Sequence, residues 1–168
     1  GRMGLFLGST IGNFDPAEAR AVFANFARIL GPSALLLVGA DLVKDAMTLE
    51  RAYDDSQGVT ARFNLNLLAR INRELDAEFD LNRFAHRAVF NEARSRIEMH
   101  LVSRCDQVVR VAGRAIMFRA GETIHTENSY KYTPASFAAL ARAAGWGAVQ
   151  SWRDSQGMFS VHALRLAD

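Results

Sequence analysis

Apolar residues open the chain as a short unbroken run over residues 3–7, cut off by Gly8-Ser9-Thr10, which predicts a buried strand leaving a sheet. Asp15-Pro16 supplies an N-cap followed by proline at the first helical position, with Glu18 in the first turn. Val22, Phe23, Phe26, Ile29 and Leu30 then recur at helical spacing until Gly31-Pro32 stops the helix. Residues 34–41 form a second apolar run that ends on an acid, Asp41. Strand, loop, helix and strand in this order predict a βαβ unit, hence a parallel pair with a right-handed crossover.

The pattern then changes. Residues 47–75 carry apolar positions at helical spacing with a break at Gly58. Short β-like runs follow at 86–90, 96–102, 107–111 and 116–119, separated by turn residues, which predicts an antiparallel sheet. Thr133-Pro134 starts a last helix, ended by Gly145, and runs at 149–152 and 159–166 flank a turn at Asp154-Ser155-Gln156-Gly157. The expected fold is α/β, with residues 1–45 and 127–168 in one sheet-based core and 46–126 as an inserted α+β subdomain. A strand that begins almost at residue 1 reads as a truncated start.

Composition narrows the class. With 49% hydrophobic and 23% charged residues, the chain has the balance of a folded globular protein and not of a disordered one. A net charge of +2, with arginines spread along the chain, argues against nucleic-acid or membrane-surface partners. No apolar run approaches the roughly 20 residues that span a bilayer. The single cysteine, Cys105, excludes an internal disulfide and fits a reducing compartment, so the expected location is the cytoplasm.

Two segments carry candidate chemistry. Gly8-Ser9-Thr10-Ile11-Gly12-Asn13 follows a strand, where open α/β sheets bind ligands, and its glycines allow close backbone approach. The alternative is an ordinary turn in which Asn13 helps start the helix. The run from His125 to Tyr132 is eight successive polar or aromatic residues. Within it, Glu127 and Ser129 lie two apart and share one side of an extended backbone, where a carboxylate and a hydroxyl can hold the two nitrogens of an imidazole. The alternative is a solvated loop. Tyr53-Asp54-Asp55 could supply polar groups or simply occupy a helix surface, and Met99 alternates with Ile97 and Leu101 as a core residue would. His86, His100, His125 and His162 show no metal-ligand spacing, so no metal site is expected.

Six motifs, in order, resemble the histidine Nα-methyltransferases of ergothioneine biosynthesis: residues 6–14, 39–45, 52–55, 63–68, 96–99 and 126–129. The resemblance runs over nearly the whole chain. It implies the C-terminal part of a Rossmann-like, class I methyltransferase sheet with an inserted substrate-binding subdomain, acting with S-adenosyl-L-methionine on L-histidine to give the trimethylbetaine hercynine. Asn13 and Tyr53 resemble positions that hold the substrate's amino-acid end. Glu127 and Ser129 match the pair that grips the imidazole, with Asn128 between them, and Met99 matches a residue lining that pocket. Gly8, Ser9 and Thr10 fall in the loop near the methyl donor. The resemblance also implies that most of the cofactor site lies upstream of residue 1, so that the segment alone is inactive and the full-length enzyme is a monomer. Two other readings stand beside it: the same fold acting on another amino acid or amine, and a non-catalytic fragment that associates through an unfinished sheet.

Overall fold

The computed structural model describes residues 1–167, which divide into two compact units. The first comprises residues 1–45, 91–96 and 128–168, less the final residue; the second comprises 46–90 and 97–127. Residues 91–96, inside the segment expected as one continuous insertion, thus group with the first unit.

In the first unit, β1 (Met3–Phe6) leads through a 3-10 turn (Thr10–Asn13) to α1 (Pro16–Leu30) and back to β2 (Leu35–Asp41). The helix starts where the sequence says it should. The Asp15 carboxylate accepts from the amides of Ala17 and Glu18, and Glu18 reaches back to the Asp15 amide at 2.9 Å, closing a capping box. β1 and β2 are parallel, Met3 opposite Leu35 through Phe6 opposite Val38. The chain returns as α4 (Pro134–Arg142), β8 (Trp146–Arg153) and β9 (Phe159–Leu166), giving the strand order β1-β2-β9-β8 with β9 antiparallel to both neighbours. β8 starts three residues before the apolar run at 149–152. A register shift between Ala148 and Gln150 puts Val149 out of step and breaks the alternation that would have marked the strand.

One expectation fails at β1. Its apolar run predicts burial on both faces, yet Met3 and Leu5 are exposed. β1 is the edge strand, and only its Gly4 face is covered, by Phe26, Leu30 and Leu36. The core of this unit is Ile11, Phe23, Leu36, Val38, Phe137, Trp146 and Leu164.

His162 on β9 is buried in this core, stacked on Phe137 at 4.1 Å, with Nε2 2.8 Å from the Ser160 hydroxyl. Burial, then the charge of Arg153, pushes its pKa below the ordinary 6.5. In the unfolded chain the ring takes a proton near 6.5, and in the fold it resists, so stability is full above 6.5 and declines as pH falls below it. Urea unfolding at pH 7.5 and 5.5 should show that loss, and His162→Gln should reduce the difference between the two pH values. An unchanged difference would remove His162 as a source.

The second unit begins with α2 (Ala46–Tyr53) and α3 (Val59–Leu75), separated as expected at Gly58, which is left-handed at φ +65°. β3 (Phe84–Asn91), β4 (Arg96–Ser103) and β7 (Thr123–Tyr130) form one sheet in the order β3-β4-β7, and β5 (Gln107–Val111) pairs with β6 (Arg114–Phe118) as a hairpin. Its turn, Ala112-Gly113, has positive φ at both positions, the geometry a tight two-residue hairpin needs. On β4 the alternation buries Ile97, Met99 and Leu101. Leu101 joins a cluster with Leu68, Phe79, Phe84, Val109 and Phe118, while Ile97 and Met99 pack with Leu49. The polar run at 125–132 is therefore mostly strand, and the solvated-loop alternative is corrected: β7 pairs with β4 at the edge of the sheet, and its last residues, 128–130, among them the buried Ser129, belong to the first unit.

Candidate functional site

The loop after β1 is built by two successive left-handed residues, Gly8 at φ +73° and Ser9 at φ +59°. A Cβ on Gly8 would meet nothing within 4 Å, so glycine serves the backbone turn there and leaves open space beside it. The Ser9 hydroxyl accepts from the Asp41 amide at 2.9 Å, and the Thr10 hydroxyl donates to the Leu7 carbonyl at 3.1 Å. The first bond fastens the loop to the carboxyl end of β2, the side on which open sheets bind ligands, and the second closes the loop on itself. Asn13, exposed, closes the 3-10 turn; the cap of α1 is Asp15, so Asn13 does not start that helix.

Gly12 brings this loop against the end of β7. A Cβ there would stand 2.8 Å from the Tyr130 carbonyl oxygen and 3.5 Å from the Ser129 hydroxyl. Ser129 is held by a buried charge. The Lys131 ammonium, its side chain fully buried, donates to Ser129 Oγ at 2.9 Å and to Asp41 Oδ2 at 2.8 Å, while Lys44 takes the other Asp41 oxygen. Ser9, Asp41, Lys131 and Ser129 thus form one polar chain from the β1 loop through β2 to β7. The side-chain oxygen of neighbouring Asn128 is buried and, among the described residues, has no hydrogen-bond partner.

In the second unit, Tyr53 is the last residue of α2 and packs against the Leu49–Ile97–Met99 cluster. Its carbonyl, one of the groups a helix end leaves unsatisfied, accepts from His86 Nε2 at 2.7 Å. That fixes the hydrogen on Nε2, so His86 Nδ1 accepts from Asn64 Nδ2 at 2.9 Å. Asn64 is fully buried and also donates to the His100 carbonyl. Tyr53 and Met99 are thereby placed together. Glu127 lies on β7 directly after Thr126, whose hydroxyl donates to the Met99 carbonyl at 3.0 Å. Asp55 is a cap: amides of Thr60 and Val59 hold its carboxyl down at about 2.

Glu98, His100 and His125 meet on the sheet, although spacing along the chain gave no sign of it, since strand pairing and not sequence distance unites them. The two rings stack at 4.6 Å and 25°, and Glu98 sits 3.3 Å from His100 Nε2. Burial holds the His100 pKa below 6.5. Nearly parallel rings aim their in-plane lone pairs side by side rather than at one point, so this group is a stacked polar cluster as it stands. A cavity of about 310 Å³ in the first unit, bordered by Arg94, Tyr130, Lys131 and Thr133, is lined by none of the nine candidate residues.

Lys131, Asp41, Asn64 and His86 were missed by sequence reasoning. A lysine inside an alternating strand and an acid closing an apolar strand were the available signals, but their pairing is a tertiary fact.

Comparison with known proteins supplies the family. The family model described as "Histidine-specific methyltransferase, SAM-dependent" matches residues 1–166. The chain is 46% identical over 162 residues to the histidine N-alpha-methyltransferase of Mycobacterium tuberculosis and 47% identical to that of Mycolicibacterium smegmatis, covering 95% of this chain and 50% of each relative. It therefore spans about half the length of the curated relatives it matches. Among solved structures, the CcbJ methyltransferase from Streptomyces caelestis superposes with a TM-score of 0.52 at 12% identity, over 98% of this chain and 60% of that one, a likeness of fold. The chain belongs to the histidine-specific, S-adenosylmethionine-dependent methyltransferase family.

Proposed function

We propose that the polypeptide carrying this chain methylates the α-amino group of L-histidine with S-adenosyl-L-methionine as donor, up to the trimethylated product. The observation that carries this reading is the end of β7. Ser129, two positions from Glu127 on one strand, is buried and fixed by Lys131 beside the glycine turn at the carboxyl end of the parallel strands. A carboxylate accepts a ring N–H and a hydroxyl donates to a bare ring nitrogen, which is the complement of imidazole. Asn128 supplies a buried acceptor still to be satisfied. The family resemblance, and not a contact in the structure, is what assigns Asn13 and Tyr53 to the substrate's amino-acid end and Met99 to its ring.

The donor supplies an activated methyl group when bound. Gly8, Ser9 and Thr10 are the residues here that fit beside it, because the left-handed turn leaves open space and presents backbone to a ligand. The chain's own work is positioning: holding the amine neutral, in line and dry, where orientation lowers the barrier. On this reading residues 46–126 form the substrate-binding subdomain, and the enzyme works as a cytoplasmic monomer on a small molecule, without metal, nucleic acid or membrane. No helix among the described residues is long and apolar enough to cross a membrane.

In the complete enzyme, Glu127→Ala should lower kcat/KM for histidine roughly 10- to 150-fold, the worth of about 1.5–3 kcal/mol for a charged hydrogen bond. The loss should fall mainly on KM, measured by transfer of labelled methyl. Wild-type KM in this variant would overturn the ring-binding role.

A further inference from the structure

We propose that the cavity bordered by Arg94 is a second ligand site, suited to a small aromatic carboxylate. Its volume of about 310 Å³ is within the range of small-molecule pockets, and all of its walls belong to the first unit. Ser136 and Leu140, four apart, share one face of α4, Pro16 opens α1, and Tyr130 ends β7 with Tyr132 two residues on. Arg94 closes the 3-10 turn Glu92–Arg94, and its backbone is pinned on both sides. The Asn91 side chain accepts from the Arg94 amide at 3.1 Å. On the other side, the Lys131 amide donates to the Ser95 carbonyl at 2.8 Å, and the Ser95 hydroxyl donates to the Lys131 carbonyl at 3.0 Å.

The polar groups of the walls select the ligand, because all but one are engaged inside the protein. Thr133 and Ser136 close the capping box of α4, each side chain bonded to the other's backbone. Lys131 turns its ammonium to Asp41 and Ser129, the Tyr130 hydroxyl accepts from Arg96, and the Tyr132 hydroxyl faces the Ile11 carbonyl. Arg94 differs. It is exposed, and among the described residues its guanidinium meets no carboxylate. No aspartate or glutamate among the described residues lines the cavity. The site thus offers one planar fork of N–H donors, which pairs bidentately with a carboxylate, beside apolar walls of Pro16, Leu140 and two tyrosine rings. Those rings favour an aromatic body. A cation would find no counter-charge, and an amino acid such as histidine would bring an ammonium to a wall without an acid.

The test is titration of the complete enzyme with 4-fluorophenylacetate, followed by fluorine NMR with histidine and S-adenosylhomocysteine present at saturation. One saturable site is expected, with a Kd on the order of 1 mM, the affinity that a fragment of this size reaches. The uncharged 4-fluorophenylacetamide should bind about tenfold more weakly, the loss of one charged hydrogen-bonded pair at an exposed arginine. Trifluoroacetate, a charge without a ring, should not displace the acid. Arg94→Gln should erase the preference for acid over amide while methyl transfer to histidine and the denaturation midpoint stay at wild-type values. Absence of saturable binding, equal affinity for acid and amide, or displacement by trifluoroacetate would each overturn the proposal. So would an undiminished preference in Arg94→Gln, which would place the acid elsewhere on the protein. Methyl transfer is read separately, so failure here leaves the histidine assignment standing.

Discussion

Trp146→Ala should lower the unfolding free energy by about 3–5 kcal/mol, the range for removing a large aromatic from a packed core. Trp146 opens β8, is 1% exposed, and packs with Phe23 of α1, Phe137 of α4 and Leu164 of β9. Its indole N–H donates to the Phe23 carbonyl at 3.0 Å, so alanine leaves both a cavity and a buried carbonyl without its donor. Trp146→Phe divides the two causes: it refills much of the volume and should cost only about 1–3 kcal/mol for the unmet carbonyl. Trp152, half exposed on the same strand, is the control, and its alanine variant should stay within about 0.5 kcal/mol. Chemical denaturation followed by far-UV dichroism measures all three. A loss under about 1 kcal/mol for Trp146→Ala would show that the indole does not join helix α1 to the closing hairpin.

That clamp illustrates what the sequence could and could not announce. The start of α1 was legible because a capping box and a proline are local chemistry, complete within four residues. The break at Gly58 was legible for the same reason, whereas the runs of β5 and β6 point only to strands of one antiparallel sheet, and their pairing as a separate hairpin is a fact of the fold. β8 was read short because a bulge at Val149 interrupts alternation, and β1 was read as buried because apolar residues do not reveal whether a second face is covered. The family motifs identified the chain's kinship correctly, and they located the loop and the β7 segment that the fold brings together at Gly12. They could not show that Ser129 is gripped by a buried lysine, since Asp41 and Lys131 lie 90 positions apart in sequence and meet only through sheet and crossover. The stacked Glu98–His100–His125 group was invisible for a like reason, strand partners being unknown before the fold is.

Gly12→Ala should damage both stability and catalysis, and by more than its single methyl group implies. The new Cβ would lie 2.8 Å from the Tyr130 carbonyl oxygen, a backbone atom that cannot swing aside as a side chain would. Overpacking of this kind costs about 1–3 kcal/mol, read as a lowered denaturation midpoint. The relief it forces is a separation of the 3-10 turn from β7, which moves Ser9 and Asn13 away from Ser129. A shift of about 1 Å in groups that orient a reaction can cost roughly 100-fold in rate, so kcat/KM for histidine in the complete enzyme should fall by about that factor. Gly8→Ala is the informative contrast. Its Cβ meets open space, but its φ of +73° strains any side chain, so stability should drop while the contact with β7 persists. If Gly12→Ala binds histidine and turns over like wild type, the loop and β7 are not the joint scaffold of the site, and the reading of Ser129 as part of the ring grip loses its geometric support.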